Sequence, residues 1–343
     1  MSLTPHSERS QIVKVLQVID ETVDAKSFVF ATEWDYQPGQ FVTLRIPSDL
    51  TGSVARSYSL YTSPFDAVRP GVTVKRSPGG YASNWLCDNL SEGDEVEVLP
   101  PAGAFVPESL DVPMLLLAAG SGITPIMSIL SAALSQGSQH IVLLYANASD
   151  ADTIFYDDIS SLEASHPGQL TVIWWQAEYR GIPDADSLAA VLSPYHSRAT
   201  YLCGRDEFMA ACKEALRVIG TDRSLVHQEI YASLSGDAFA DVVPHETTDA
   251  EAADAASVTV YNLGATFTIA WPRDRTLVDV LIAGGHDVPY SCQSGECATC
   301  ICRLSKGTVS MDVSDGLDPE DKEDGYILGC QAKPTADELE VEY

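Results

Sequence analysis

The chain has 343 residues, 45% hydrophobic and 20% charged, which is typical of a globular protein with two or three domains. Its formal net charge of -29 argues against binding to nucleic acid or to anionic membranes. The amino terminus lacks the apolar core of a signal peptide, and Gly and Pro interrupt the most apolar stretch, Val112 to Leu134. We therefore expect a cytoplasmic protein with no stable membrane association. The charge indicates high solubility or docking to a basic partner.

After a tail at residues 1–10, residues 11–107 consist of short strand-like runs separated by turn residues, with one helix near Tyr81–Asn89. Regularly spaced short strands predict an antiparallel β-barrel. Over residues 108–234, strand-like runs alternate with helical segments, which predicts βαβ units and a parallel sheet.

Residues 235–256 are rich in acidic residues, Ala, Thr and Gly and contain no Lys or Arg, so we interpret them as a solvated acidic linker. Residues 257–343 contain two strands, a helix, a cysteine-rich loop and further strands, which predicts a small α+β domain. The linker would allow this domain to move relative to the preceding two.

Four cysteines of this last region follow the pattern C-x4-C-x2-C and then a distant fourth cysteine: Cys292, Cys297, Cys300 and Cys330. This is the ligand spacing of a plant-type [2Fe–2S] cluster. The small residues between them allow backbone N–H groups to approach the cluster sulfurs, and such hydrogen bonds help to set the reduction potential.

Two other uses of these cysteines stay open. A zinc site uses four cysteines as well, although it usually pairs two C-x2-C knuckles and only one is present. Disulfides are an alternative in an exported protein, but nothing in the sequence indicates export. A further cysteine, Cys302, follows the third ligand by two residues, and we interpret it as a small buried filler rather than a ligand.

The barrel region contains the run Arg56-Ser57-Tyr58-Ser59 on a predicted strand, where alternation places Arg56 and Tyr58 on one face and both serines on the other. An Arg neutralises a flavin diphosphate, an aromatic ring stacks on the isoalloxazine, and a hydroxyl bonds its edge. The run alone is a weak motif.

Three more motifs accompany it in order: Tyr36–Phe41, Val74–Arg76 and Gly80–Trp85. The last places backbone N–H groups at a helix start, where a pyrophosphate binds favourably. Together these motifs resemble the ferredoxin–NADP reductase superfamily, in which a flavin-binding barrel precedes a nicotinamide-binding α/β domain. The resemblance implies FAD as the flavin and a β-grasp fold for the ferredoxin domain.

The resemblance continues through Gly120–Pro125, a turn that faces the nicotinamide dinucleotide in that family, and through Cys203-Gly204 at a later strand end. It implies that Ser59, Cys203 and Glu229 surround the reacting nicotinamide and orient it over the flavin, which is a proximity effect. The cofactor-binding residues that it implies are Arg56, Ser57, Tyr58, Ser59, Val74, Lys75, Gly80, Tyr81, Ala82, Ser83, Gly120, Thr124, Pro125, Gly204 and Tyr231.

Three stretches, Gly39–Arg56, Gly80–Asn89 and Leu328–Ala332, narrow the resemblance further. With the cluster at its end, the chain most resembles the reductases of bacterial Rieske oxygenases, and within these the reductases of 3-ketosteroid 9α-hydroxylases. This implies a monomeric protein that passes electrons from NADH through FAD and the cluster to a separate oxygenase. The preference for NADH is predicted because no basic group follows the strand Ile141–Tyr145 to hold a 2′-phosphate.

Two alternatives remain. The same electron path would serve a diiron hydroxylase or a fatty-acid desaturase, because partner surfaces leave no short motif. A non-catalytic redox-sensing module is the other, and its support is one departure from the family pattern. Two prolines that usually follow the Cys-Gly pair are missing from Cys203-Gly204-Arg205-Asp206, which affects the pose expected for the nicotinamide.

Overall fold

The computed structural model describes residues 5–231, 233–240, 254–262 and 265–343. They form two compact units: unit 1 contains residues 11–101 and 105–230, and unit 2 contains residues 5–10, 102–104 and 231–343. Most of the predicted acidic linker, residues 241–253, lies outside the described residues. Within the described ranges, no helix combines the length and apolar character needed to cross a membrane.

Unit 1 begins with a barrel made of one six-stranded sheet. Its elements are β1 (Gln11–Thr22), β2 (Ala25–Phe30), β3 (Phe41–Ser48), β4 (Gly52–Ser59), β5 (Gly71–Lys75), α1 (Tyr81–Asn89) and β6 (Glu95–Ala102). The strand order is β4-β3-β6-β1-β2-β5. A bridge between Leu60 and Val72 joins the end of β4 to β5 and closes the sheet. The inward positions of β3 (Val42, Leu44 and Ile46) are fully buried, as strand alternation requires.

The second part of unit 1 is a parallel sheet covered by helices. Its elements are β7 (Met114–Ala119), α2 (Ile123–Gln136), β8 (Ile141–Asn147), α3 (Tyr156–Ser165), β9 (Leu170–Gln176), α4 (Ala177–Arg180), α5 (Ala185–Leu192), β10 (Ala199–Cys203), α6 (Asp206–Val218) and β11 (Val226–Glu229). The order is β11-β10-β7-β8-β9, with all neighbours parallel. Leu116 and Leu117 of β7 pack into different cores, so both faces of the sheet are buried.

Unit 2 is a mixed sheet with one helix packed on it. Its elements are β12 (Ala256–Asn262), β13 (Ala265–Trp271), α7 (Leu277–Ala283), β14 (Ile301–Lys306), β15 (Val309–Ser310), α8 (Pro319–Glu323), β16 (Tyr326–Leu328), β17 (Lys333–Pro334) and β18 (Glu338–Glu342). The main sheet has the order β13-β12-β18-β14-β16, and only β12 and β18 of its described pairs are parallel. Leu277 and Leu281 of α7 join its core.

The predicted three-part architecture is confirmed, and several elements occupy the predicted residues, including the helix Tyr81–Asn89 and the strand Ala199–Cys203. The elements that were not predicted are short, such as α4, α8 and β17. Two to five residues do not display a periodicity that distinguishes helix from strand.

Candidate functional site

The strand order of the parallel sheet defines where a ligand binds. The chain runs outward from β7 through β8 to β9 and then crosses to β10 on the other side of β7. The carboxyl ends of β7 and β10 therefore meet at a topological switch point, where open α/β sheets form their ligand crevice. Gly120–Gly122 follows β7 there, and Cys203-Gly204 ends β10.

The turn at Gly120–Gly122 is glycine-rich because two backbones touch. A Cβ atom on Gly122 would lie 2.3 Å from the carbonyl oxygen of Cys203, and Gly120 has a φ of +53°. The hydroxyl of the buried Tyr145 donates to the carbonyl of Gly120 at 3.1 Å and fixes the turn from below. The predicted residues Thr124 and Pro125 are both buried at the start of α2, and the Thr124 hydroxyl donates to the carbonyl of Ser121 at 3.1 Å.

Two helices of unit 1, α1 and α2, begin without a side-chain cap. Among the described α-helices, only α1 and α2 begin with neither a side-chain cap nor an acidic residue in the first turn. A helix start leaves unsatisfied N–H groups and a partial positive charge, which an anion neutralises. The starts of α1 and α2, at Gly80 and Gly122, are therefore suited to the phosphates of two dinucleotides.

The predicted flavin strand is β4. Ser59 is buried, whereas Arg56, Ser57 and Tyr58 are partly exposed. The hydroxyls of Ser57 and Thr43 lie 3.0 Å apart across the β3–β4 pair. Burial raises the pKa of Tyr58, while the nearby Arg56 opposes the shift, so the ring is uncharged at neutral pH.

The other predicted flavin residues are on β5 and α1. Val74 is fully buried in the barrel core, so only its backbone is available to a ligand. Lys75 lies 3.5 Å from Asp24 in an ion pair. The Tyr81 hydroxyl donates to the carbonyl of Pro47 at 2.7 Å, and Ala82 packs into the core. The Ser83 hydroxyl accepts the Ser77 N–H at 3.1 Å and shapes the loop before α1.

The fold brings the barrel and the switch point together within unit 1. Strand β5 approaches Gly120–Gly122, with Cα atoms within 8 Å. Leu60 forms a bridge with Val72 of β5, and Ser59 directly precedes Leu60. Ser59 is therefore next in sequence to a residue that pairs with the strand approaching this turn. Cys203 pairs with Glu229 in the parallel β10–β11 register. The three residues predicted to surround the nicotinamide therefore belong to strands that converge on one region.

Their environments differ. The Cys203 side chain is fully buried in the core between the sheet and α2. Burial raises the pKa of Glu229 to about 8, so its carboxyl group is mostly protonated at neutral pH. Gly204 is packed between Phe208 and Ala119, where a Cβ would lie 2.9 Å and 3.0 Å from their side chains. Tyr231, the first residue of the continuous part of unit 2, is half exposed.

Two polar residues at the same sheet edge were not predicted. Asn147 and Gln176 end β8 and β9 in register, and both side chains are buried. Asn147 Nδ2 and Gln176 Oε1 have no hydrogen-bond partner among the described residues. Buried polar atoms normally have hydrogen-bond partners. Asn147 Nδ2 and Gln176 Oε1 are therefore suited to bind a polar ligand at the carboxyl ends of β8 and β9. A sequence signal existed: each is the polar residue that ends a continuous apolar run.

In unit 2 the cluster loop, residues 290–300, has an unusual backbone. Gln293, Gly295 and Ala298 all have positive φ, and two of the three carry side chains. This conformation is rare for residues other than Gly and turns N–H groups to one side of the loop. Backbone N–H groups of Ser294 and Cys330 point at the sulfurs of Cys292 and Cys300, each at 3.4 Å.

The four predicted ligands converge. Hydrogen bonds to the sulfurs of Cys292 and Cys300, with burial, raise the pKa of the Cys330 thiol. Hydrogen bonds from Cys297 and Cys330 lower the pKa of Cys292. The described residues contain no compact group of three or more metal-ligating side chains around one point. A [2Fe–2S] cluster does not require one, because its four thiolates are shared between two irons. Cys302 is buried in the core of the domain, as predicted.

Three family models match the three parts of the chain. They are described as an oxidoreductase FAD-binding domain (residues 13–106), an oxidoreductase NAD-binding domain (116–214) and a 2Fe-2S iron-sulfur cluster binding domain (260–335). The ferredoxin reductase component of 3-ketosteroid-9-alpha-monooxygenase from Rhodococcus rhodochrous is 52% identical, over 99% of this chain and 98% of its own. The chain belongs to the family of monooxygenase reductase components.

Other members are more distant. The glycine betaine monooxygenase reductase subunit from Pseudomonas aeruginosa is 32% identical, over 95% of this chain and 93% of its own. The solved structure of phthalate dioxygenase reductase shares the fold, with a TM-score of 0.58 and 24% identity over 97% of this chain and 98% of its own. This monooxygenase reductase is thus an oxidoreductase with FAD, nicotinamide dinucleotide and [2Fe–2S] sites in that order.

The chemistry of the three cofactors explains why one chain combines an FAD domain, a nicotinamide domain and an iron–sulfur domain. A flavin bound by the barrel domain would supply the chemistry that links a two-electron hydride donor to a one-electron iron–sulfur acceptor. The chain itself supplies open helix starts for the phosphates, a glycine turn that permits close approach, and thiolates for the irons. These features suit the orientation and electrostatic stabilisation of bound cofactors.

Proposed function

We propose that this protein is the NADH-dependent reductase of a two-component Rieske oxygenase that 9α-hydroxylates 3-ketosteroids. The observation that carries the proposal is the identity of 52% to a reductase of that name over nearly the whole length of both chains. Identity to the glycine betaine reductase subunit is 32% over a similar length. The partner would be a separate oxygenase component in the cytoplasm, and the reductase itself a monomer.

Reconstitution tests the partner. The holoprotein, NADH and a purified 3-ketosteroid 9α-oxygenase should together convert a 3-ketosteroid to its 9α-hydroxy product. Under the same conditions a glycine betaine oxygenase should turn over at least about tenfold more slowly, corresponding to roughly 1.4 kcal/mol of discrimination. Equal rates with both oxygenases would contradict the steroid proposal and leave the reductase assignment intact.

The preference for NADH is proposed from the edge of β8 and β9. The Glu178 backbone N–H donates to the carbonyl of Ala148 at 3.0 Å, so the short helix α4 after β9 contacts the loop after β8, and the first turn of α4 carries the Glu178 carboxylate. A carboxylate accepts ribose hydroxyls but repels a 2′-phosphate. Steady-state kinetics should give a much higher kcat/KM for NADH than for NADPH.

A substitution pair sharpens this test. Ala148→Arg should raise kcat/KM for NADPH about fivefold, because one favourable charge contact contributes about 1 kcal/mol. Ala151→Arg, at an exposed position a few residues further on, adds the same charge as a control. NADPH use that matches NADH use in the parent protein would overturn the proposed preference.

A further inference from the structure

A group of polar contacts around Glu296 has no part in the electron path described above. Glu296 precedes Cys297 in the cluster loop and is only 6% exposed. Its two carboxylate oxygens accept the backbone N–H of Ser235 at 3.0 and 2.9 Å, and one accepts the Ser294 hydroxyl at 2.5 Å. Ser294 in turn directs its backbone N–H to the sulfur of Cys292. One carboxylate thus joins the cluster loop to a segment far away in sequence.

That segment, Ser235–Ala240, which we call the clasp, lies along the cluster loop. A Cβ on Gly236 would lie 3.1 Å from the Cβ of Ser294, and the Gln293 side chain donates to the carbonyl of Ala240 at 3.2 Å. Ala238 and Phe239 are buried. These are the residues at which the sequence predicts the start of a solvated linker, and in the structure they pack within unit 2.

A second anchor comes from the amino-terminal segment of unit 2. The Arg9 guanidinium donates to the carbonyls of Ala238 and Ala240 at 2.8 and 3.1 Å. It also lies 4.8 Å from the ring centre of Tyr290, two residues before the first cluster ligand. A cation over an aromatic ring is attracted by the π-electrons. The clasp is therefore held at both ends, by Glu296 and by Arg9.

We propose that Glu296 is a positioning residue that fastens the clasp to the cluster loop and keeps the cluster at a lower reduction potential than a neutral side chain would. Reduction adds one negative charge to the cluster, and a buried carboxylate beside a ligand opposes that charge. The same carboxylate orients Ser294, whose N–H bonds a ligand sulfur. Glu296 is only 6% exposed beneath the clasp contacts, and electrostatic interactions are stronger where water is scarce.

The charge is tested by Glu296→Gln in the full-length holoprotein. The variant keeps an acceptor for Ser294 and removes the charge. Its cluster midpoint potential, followed by the electron paramagnetic resonance signal of the reduced cluster so that the flavin does not interfere, should shift upward. Glu323→Gln removes a carboxylate from an exposed position of the same unit and should leave the potential unchanged. A potential that is unchanged or lower in Glu296→Gln would overturn the electrostatic part of the proposal.

The fastening is tested by Ser235→Pro, which removes the donated N–H and leaves the charge in place. Hydrogen exchange of the amides of residues 236–240 should become at least about tenfold faster, because their protection depends on closure of the clasp. Glu323→Gln should leave that exchange rate unchanged. If Ser235→Pro does not retain its cluster, Arg9→Gln releases the other anchor from a residue distant in sequence from the cysteines. Unchanged exchange in cluster-loaded Ser235→Pro would show that Glu296 does not fasten the clasp, and unchanged exchange in Arg9→Gln would show that the clasp is not held at its other end.

Discussion

The helices of unit 1 that face the dinucleotide site and the helices of unit 2 begin in opposite ways. In unit 1, α1 and α2 start at Gly80 and Gly122 without a side-chain cap. In unit 2, α7 and α8 start with complete capping boxes, from Thr276 and Asp279 and from Asp318 and Asp321. At α1 and α2, unit 1 leaves the helix N–H groups to a ligand, whereas the described helices of unit 2 satisfy theirs with their own side chains.

The difference follows from what each unit binds. A dinucleotide carries phosphates, which backbone N–H groups recognise without any particular side chain. An iron–sulfur cluster needs thiolates, which only cysteine supplies. Unit 1 therefore builds its site from backbone at several strand ends, and unit 2 builds its own largely from one loop. Four changes would break or sharpen this contrast.

The largest effect is expected for Cys297→Ser. Loss of a thiolate ligand should remove the cluster and reduce electron transfer to the oxygenase to background. NADH-dependent reduction of ferricyanide should be retained, because the flavin site in unit 1 does not use this residue. Absorbance and iron content measure the loss of the cluster. Stopped-flow kinetics measure electron transfer to the oxygenase and to ferricyanide. Cys302→Ser, a buried cysteine that is not a ligand, should keep its cluster. Oxygenase reduction by a cluster-free Cys297→Ser protein would refute the electron path.

Gly122→Ala should impair unit 1 alone. Its new Cβ would lie 2.3 Å from the Cys203 carbonyl oxygen, so one of two backbones must move. Displacement of about 1 Å at a reacting centre costs roughly 100-fold in rate, and we expect a loss of this order in flavin reduction by NADH. In the control Gly168→Ala, nothing lies within 4 Å of the new Cβ, and the φ of +81° costs only local stability. A normal rate in Gly122→Ala would mean that the close approach has no role in binding.

Glu229→Gln should change the pH dependence of stability. Burial raises the pKa of Glu229 from 4.5 to about 8. Its contribution to stability is therefore complete below about pH 4.5 and is lost as the pH rises through about 8. The variant has no charge to bury. As the pH rises from 6 to 9, its free energy of unfolding should therefore increase relative to that of the parent by at least about 1 kcal/mol, which corresponds to less than one pKa unit. Urea unfolding at both values measures the gain.

The matched control for this experiment is Glu207→Gln, at an exposed position early in α6. It removes a carboxylate that is already in water, so its stability relative to the parent should not depend on pH in this way. An identical pH profile for Glu229→Gln and the parent would contradict a desolvated, protonated carboxyl group at the end of β11.

The smallest effect is expected for Thr276→Ala. Removing the cap of α7 should destabilise unit 2 by about 1 kcal/mol. Asp184→Ala removes the cap of α5 in unit 1, where the Asp184 carboxylate accepts the Ser187 N–H at 2.8 Å. It should cost a similar amount there. Denaturation followed by cluster absorbance for unit 2 and by flavin fluorescence for unit 1 separates the two. If Thr276→Ala destabilised unit 1, or Asp184→Ala destabilised unit 2, the two units would not unfold independently and the contrast between them would fail.

Local patterns made much of this protein predictable. The spacing of Cys292, Cys297 and Cys300 predicted a [2Fe–2S] cluster, and the match of residues 260–335 to a 2Fe-2S domain confirms that cofactor, because ligands in one loop leave a local spacing pattern. Strand alternation and the change to βαβ units identified the barrel and the parallel sheet. Gly120 and Gly122 indicated a backbone turn, because glycine is the residue that tolerates such a conformation and such a close approach.

Other features depend on residues that are distant in sequence, so no local pattern reports them. Asn147 and Gln176 become neighbours only through the register of β8 and β9. The acidic composition of residues 235–256 predicted a solvated linker, yet Ala238 and Phe239 are buried. Their segment is held by Glu296, which accepts the Ser235 N–H, and by Arg9, which donates to the Ala238 carbonyl. Composition measures the average preference for water, whereas burial is decided by the particular partners that the tertiary structure brings together.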